Sequence, residues 1–303
     1  MSNSGYLHSL YSQSLIEFGE PLELPASKGW LLKRQISGFS YQDAMWTYPL
    51  FSCPNWRELH LDLDELQGQL VSVSVVTDPF GEYDLAYLQT CFKDVAFPFK
   101  QHFIVDLSRP MESFVNPHHR RKAKKALAEL TVEQCVNVEE YLDDWVGLYC
   151  NLIERHHIKG MVAFSRNSFA GQFKVPGMVA FRAVSNGETV GMLLWYIEDK
   201  IGYYHLGAYS PRGYELGASF ALFWVAIQRF AESGLQWLNI GAGAGVGNDS
   251  TDGLTRYKKG WSTGTKTAYF CGRILDYQKY QEITQTKEIH ATNFFHAYRL
   301  GEF

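Results

Sequence analysis

Apolar and polar positions follow two periods along this chain. Val71 to Thr77 alternates valine with serine at a period of two, and Trp30 to Ile36 and Phe99 to Leu107 read as further strands. Gln42 to Trp46 and Asp62 to Gln69 read as short helices between them. Residues 1–115 therefore form one α/β unit, and its first two dozen residues read as a loosely held arm. Asn116 and Pro117 then suit a helix cap and first turn, and the helix runs to Leu130 as a connector over residues 116–130. Glu139 to His156 puts Leu142, Trp145, Tyr149 and Leu152 on one helical stripe, with four acidic residues at the end where the helix dipole favours them.

From Met178 the pattern is an antiparallel meander: Val179 to Val184, the hairpin pair Asn186-Gly187, Thr189 to Ile197, a turn at Asp199-Lys200, and Ile201 to Tyr209. A turn carrying Arg212, Gly213 and Gly217 leads into a helix, Gly217 to Ser233, that is apolar nearly all round and so belongs against a sheet. Leu235 to Ile240 returns as a strand, and Thr267 to Leu275 with a C-terminal helix completes a unit over residues 131–303. A strand that opens through small residues into a helix presents unpaired backbone N–H groups, a ready site for the phosphates of a large cofactor.

Composition narrows this picture. At 303 residues, 46% hydrophobic and 15% aromatic, the chain has ample core material. The net charge of −4 argues against wholesale polyanion binding, yet Arg120, Arg121, Lys122, Lys124 and Lys125 put five cations into six residues. Five scattered cysteines without a Cys-x-x-Cys pair suggest neither a disulfide framework nor a zinc site, and fit reduced thiols in a cytoplasmic protein. No apolar stretch is long enough to span a bilayer, so a soluble, unprocessed protein without membrane insertion is expected.

The segment Arg212-Gly213-Tyr214-Glu215-Leu216-Gly217-Ala218 resembles the Arg/Gln-x-x-Gly-x-Gly/Ala pyrophosphate loop of the GNAT superfamily of N-acyltransferases. Three further phrases resemble the branch of Fem-type aminoacyl ligases and FemAB-like acyltransferases: Ile104-Val105-Asp106-Leu107-Ser108 before a basic helix, Leu238-Asn239-Ile240-Gly241 after the long helix, and the run from Asp252 to Trp261. The resemblance covers roughly residues 100–275. It implies an α/β fold of two tandem GNAT-like halves, each a mixed sheet flanked by helices, the first degenerate. Glu215 departs from the family pattern by occupying the place of the usual first glycine, where it puts negative charge near the phosphates.

The resemblance also implies the chemistry. An amine attacks a thioester or ester carbonyl held by backbone N–H groups of the strand Tyr203 to Tyr209, with acyl-CoA as donor, or aminoacyl-tRNA in the Fem-type alternative. Arg212, Gly213, Gly217, Ala218, Ser219 and Gly207 are then the donor-binding positions. Tyr257 and Lys258 match the Phe-Lys dipeptide of Fem-type ligases, with Tyr for Phe, and a lysine there can stabilise a developing oxyanion. His205 is the expected base, and Tyr209 or Tyr257 the group that protonates the leaving atom. Strand alternation sends His205 and Gly207 to one face and Tyr204, Leu206 and Ala208 to the other. The acceptor is expected to be a small-molecule amine, with Trp195, Tyr203, Tyr204 and Trp261 as candidates for an aromatic pocket; tRNA enters as a partner through the basic connector, and no metal is expected.

Other readings stand beside this one. Gly241 to Gly247 after a strand invites a dinucleotide reading, but no apolar helix follows, which favours an active-site loop. Gly217-Ala218-Ser219-Phe220-Ala221, with Asp249, Asp276, His290 and His296 downstream, approximates a serine-hydrolase elbow, except that Pro211 to Leu216 separate the serine from its strand. The pairs His118-His119 and His156-His157 lack ligand spacing and suit surface or cap roles. A catalytically inactive binding module with the same fold is a further alternative.

Overall fold

A computed structural model describes residues 3–244, 252–289 and 292–301. The chain divides into two compact units. One comprises the described residues of Met1–Gly5, Lys100–Ile158 and Ser165–Lys266; the other comprises those of Tyr6–Phe99, Lys159–Phe164 and Thr267–Phe303.

In chain order the first elements are α1 (Ser9–Gln13), β1 (Glu20–Glu23), β2 (Trp30–Gln35), β3 (Gln42–Trp46), α2 (Leu59–Glu65), β4 (Ser72–Val76), α3 (Leu85–Cys91) and β5 (Val95–Asp106). There follow α4 (Met111–Phe114), α5 (Pro117–Leu127), β6 (Thr131–Gln134), α6 (Leu142–His156), α7 (Arg166–Gln172), β7 (Met178–Ser185), β8 (Glu188–Glu198) and β9 (Ile201–Tyr209). The last are α8 (Pro211–Leu216), α9 (Ala218–Glu232), β10 (Trp237–Asn239), α10 (Gly253–Lys259), β11 (Gly264–Ile274) and α11 (Tyr277–Thr286).

In the unit that begins at Tyr6 the strand order is β1-β2-β3-β4-β11, antiparallel except for the parallel pair β3–β4. Its core gathers Leu31, Ala44, Phe51, Leu59, Val73 and Cys271. Two expectations are corrected here. Gln42 to Trp46 is a strand, because five residues are too few to hold a helix alone and β2 offers a ladder partner, Leu31 opposite Trp46 through Gln35 opposite Gln42. Its Asp43 is fully buried, taken up by Arg299 at 2.6 Å and Arg34 at 3.3 Å. The N-terminal arm is not loose either: Tyr6 and Tyr11 are buried with ring centroids 4.9 Å apart, and β1 pairs with β2.

The other unit has the order β5-β10-β9-β8-β7-β6, antiparallel except for β9–β10. The expected meander is present, with Asn186 and Gly187 at φ 51° and 83° in its hairpin turn. Helices α5 and α9 cover one face, burying Ala123, Ala126, Ala221, Phe223 and Ile227 with Phe181, Leu193 and Trp195. On the other face α6 packs on β8 and β9, while α7 holds Tyr196 through its hydroxyl, 3.0 Å from the Gln172 carbonyl oxygen. Of the predicted α6 stripe, Trp145 and Tyr149 are fully buried. Helix α5 starts where capping chemistry places it: Asn116 Oδ1 accepts from His118 N–H at 2.8 Å and Pro117 fills the first turn. No helix among the described residues is long and apolar enough to cross a membrane.

Candidate active site

The site arises where two parallel strands part. Strand β10 pairs with β9 only from Trp237–Ile201 to Asn239–Tyr203. Beyond Asn239 the chain stays with β5: Ile240 N–H donates to Phe103 O at 2.9 Å and Phe103 N–H to Gly241 O at 3.0 Å. Gly241, at φ 74°, then turns the chain. A wedge therefore opens between Tyr204–Tyr209 of β9 and the bend at residues 240–244, at the carboxyl ends of the parallel pair, where open α/β sheets place their ligands.

A β-bulge deepens this divergence. Trp195 lies opposite Tyr204, but Leu194 lies opposite Leu206, which leaves His205 as the extra residue. Such an insertion reverses the side-chain alternation downstream of it. The expectation that His205 and Gly207 share a face is thus overturned. A methyl built on Gly207 would overlap the Tyr204 hydroxyl and come 3.1 Å from that of Tyr209. Tyr204, Gly207 and Tyr209 hence face α9, with Tyr204 5.2 Å from the Phe223 ring. His205 faces the other way, its Nε2 3.0 Å from Gln172 Oε1 and its ring 5.2 Å from that of Tyr196. Burial there pushes its pKa down to about 3.

Helix α10 delivers Tyr257 and Lys258 to the wedge. Asp252 caps it, Oδ1 accepting from Leu254 N–H at 2.8 Å and Thr255 N–H at 2.9 Å. The Tyr257 hydroxyl donates to Ser219 O at 3.0 Å and its ring packs edge-on to Phe220 and Phe223. Burial holds the Tyr257 and Tyr209 hydroxyls well above the usual phenol range, so both stay protonated at neutral pH. Lys258 is 7% exposed; Nζ donates to Ala242 O at 2.7 Å and lies 5.6 Å from the Tyr204 ring centroid. Burial lowers its pKa to about 7, opposed at longer range by Asp252. Gly241 makes room for this ammonium, since a methyl there would stand 2.9 Å from Nζ.

The segment of Arg212, Gly213 and Gly217 is not an open loop. It forms α8, capped by Ser210, whose Oγ accepts from Gly213 N–H at 3.1 Å. Gly217, at φ 69°, joins α8 to α9, and Ala218 and Ser219 open α9. Arg212 and Glu215 are exposed and pair at 3.1 Å, so the carboxylate that departs from the family pattern is matched by the arginine three residues before it. Ser219 follows a helix rather than a strand, which removes the hydrolase elbow; Asp249 and His290 lie outside the described residues, as does the stretch from Gly245 to Thr251. Trp195, Tyr203 and Trp261 are buried, and of that aromatic group Tyr204 is the one set against Lys258.

Two histidines escaped the sequence reading of the site. His119 is buried rather than superficial: Nε2 donates to Tyr257 O at 3.1 Å and the ring meets Phe220 and Trp261, bracing α10 from behind. His102 on β5 is 8% exposed, its Nδ1 3.0 Å from Asn239 Oδ1. Burial lowers its pKa to about 4 against the Asn239 hydrogen bond, and the Lys258 and Lys100 cations lower it further. A histidine within a strand carries no motif, so the one available signal was the alternation that puts Lys100 and His102 on one face.

A family model for the GNAT acetyltransferase domain matches residues 117–259, which hold α5, the meander, α9 and α10. Over those residues the chain is similar to the GNAT acetyltransferases. Among solved structures, FemX is similar at 14% identity with a TM-score of 0.65, over 91% of this chain and 93% of that one. The C-terminal domain (DUF2156) of a protein described as a lysylphosphatidylglycerol synthetase, from Agrobacterium fabrum, matches at 12% identity and TM-score 0.63, over 89% and 88%. L-PGS from Bacillus licheniformis matches at 15% and 0.55, over 96% and 100%. At such identities these likenesses concern the fold, and none of the curated proteins matches the sequence. Within the GNAT-like region the wedge of β9 and β10 gathers Tyr204, Gly207, Tyr209, Tyr257 and Lys258, and leaves His205 on the opposite face.

Proposed function

We propose that the chain is an N-acyltransferase that moves an acyl or aminoacyl group from an activated donor to a primary amine. The observation that carries this reading is Lys258: a lysine buried at the wedge of a GNAT-like region, whose hydrogen bond among the described residues goes to a carbonyl rather than to a carboxylate. A buried cation without an ion-pair partner is costly to keep, and sites that must stabilise developing negative charge are where such a cost is retained. The donor carbonyl enters the wedge beside Gly207. The amine lone pair bonds to the carbonyl carbon, the π pair moves to oxygen beside the Lys258 ammonium, and collapse re-forms the carbonyl while the bond to sulfur or ester oxygen breaks. One such donor is commonly worth about 3 kcal/mol in the transition state.

For an acyl-CoA donor, Arg212, Gly213, Gly217, Ala218 and Ser219 lie around the junction of α8 and α9 and supply the phosphate contacts, with Arg212 exchanging Glu215 for phosphate. Titration calorimetry with coenzyme A at fixed salt tests this: micromolar binding that Arg212→Ala abolishes supports it, and absence of binding removes the thioester donor. A second reading, aminoacyl-tRNA, is favoured by the basic face of α5, where Arg120 and Lys124 line a cavity of about 460 Å³ with Trp224. Cations around an indole suit phosphates and a stacked base. It predicts tRNA binding that weakens steeply with salt, and loses part of that slope in Arg120→Ala.

A further inference from the structure

The bend that receives Lys258 also fixes the proton on a second ring. Asn239 Oδ1 accepts from Gly241 N–H at 3.0 Å, which identifies that atom as the amide oxygen. His102 Nδ1 lies 3.0 Å from the same oxygen. A carbonyl oxygen only accepts, so Nδ1 carries the ring proton and Nε2 holds a lone pair. Past Asn239–Ile104, Phe103 O accepts from Ile240 N–H while Phe103 N–H donates to Gly241 O, so two residues of the bend oppose Phe103 and the register carries His102 toward Ala242, whose carbonyl holds Lys258. The ring and the ammonium are therefore tied to one four-residue bend, residues 239–242.

We propose that His102 Nε2 is the proton acceptor for the attacking amine, and that Asn239 is the positioning residue that keeps Nε2 deprotonated. The assignment rests on the acyl-transfer reading above. As nitrogen bonds to the carbonyl carbon, its N–H proton passes to Nε2 while the π pair settles on the oxygen beside Lys258. Collapse expels the thiolate or alkoxide, which takes the proton back from Nε2–H, so the ring returns to its starting state. The charged and titratable groups around His102 act to keep it neutral before attack: Lys258 from α10 and Lys100 from β5 oppose a second proton, and Asp252 at the start of α10 acts on both lysines. His205, the histidine that the sequence favours, has its Nε2 committed to Gln172.

The test uses the full chain with acetyl-coenzyme A, and in parallel alanyl-tRNA, against glycine amide and lysine as amines. His102→Gln, which retains an N–H for Asn239, is expected to lower kcat about 100-fold or more with KM little changed, and to abolish the acid limb of the kcat/KM profile. Asn239→Leu is expected to lower kcat about 10-fold, and nitrogen NMR of the wild-type ring is expected to show the proton on Nδ1. Wild-type turnover with His102→Gln within threefold of it, an unchanged acid limb, or a proton found on Nε2 overturns this assignment and leaves the acyl-transfer reading standing. A wild-type chain that transfers nothing from either donor overturns both.

Discussion

Replacing Lys258 with methionine should remove activity and, at neutral pH, stabilise the protein. The unfolded chain holds the lysine proton up to its ordinary pKa of about 10.5, whereas burial lowers that of the folded protein to about 7. Between those values the unfolded state binds more protons, so wild-type stability climbs with pH; below about 7 the penalty is full, on the order of 5 kcal/mol. Methionine removes that penalty but leaves the Ala242 carbonyl without its 2.7 Å donor, a loss of about 1–3 kcal/mol. The difference favours Lys258→Met by about 2–4 kcal/mol at pH 6.5, and shrinks as the pH rises until the two proteins cross near about pH 9. Urea unfolding of both proteins at pH 6.5, 8 and 9.5 measures this directly, with transfer activity followed alongside. A variant that is less stable than wild type at pH 6.5, or whose advantage does not shrink with pH, would refute the claim that Lys258 is a buried ammonium held for catalysis.

Gly207→Ala should lower activity and stability together, by about 1–3 kcal/mol in urea, because its methyl overlaps the Tyr204 hydroxyl and meets Leu193 Cδ2 at 2.8 Å. Adding Tyr204→Phe should recover part of the stability, and a double mutant no more stable than Gly207→Ala would count against that contact. Asp252→Ala, which uncaps α10, should cost about 1 kcal/mol in urea and reduce kcat by displacing Lys258, whereas Asp252→Asn should retain most of both. In the wild type, kcat/KM should fall as pH rises through about 7, where Lys258 loses its proton; an alkaline limb well above that value would mean that the ammonium is not the active form. Arg212→Ala should leave stability within about 1 kcal/mol of wild type, since both partners of its ion pair are exposed, so any loss of coenzyme A affinity reads out the ligand alone.

Local chemistry made much of the GNAT-like region legible in the sequence. The Asn186-Gly187 turn, the Asn116-Pro117 cap and the apolar α9 each depend on residues within one or two turns of each other, and all stand where the pattern puts them. Lys258 and Tyr257 were singled out by resemblance; what buries them is the packing of α9, β9 and β10. Long-range pairing decided the rest. The segment Gln42–Trp46 is a strand because β2 lies beside it, and Thr267–Leu275 finds its ladder partner in β4, nearly 200 residues earlier. The bulge at His205 is a property of two strands in register, so no reading of one strand could show that it turns His205 away from Lys258 and brings Tyr204 and Gly207 to the same face. His102 is the clearest case: its tautomer follows from an amide oxygen 137 residues away that also accepts from Gly241. Sequence determines periodicity, caps and turns, because these are energies of neighbours along the chain. Which faces meet, and which protons they hold, is settled by contacts that exist only once the chain has folded.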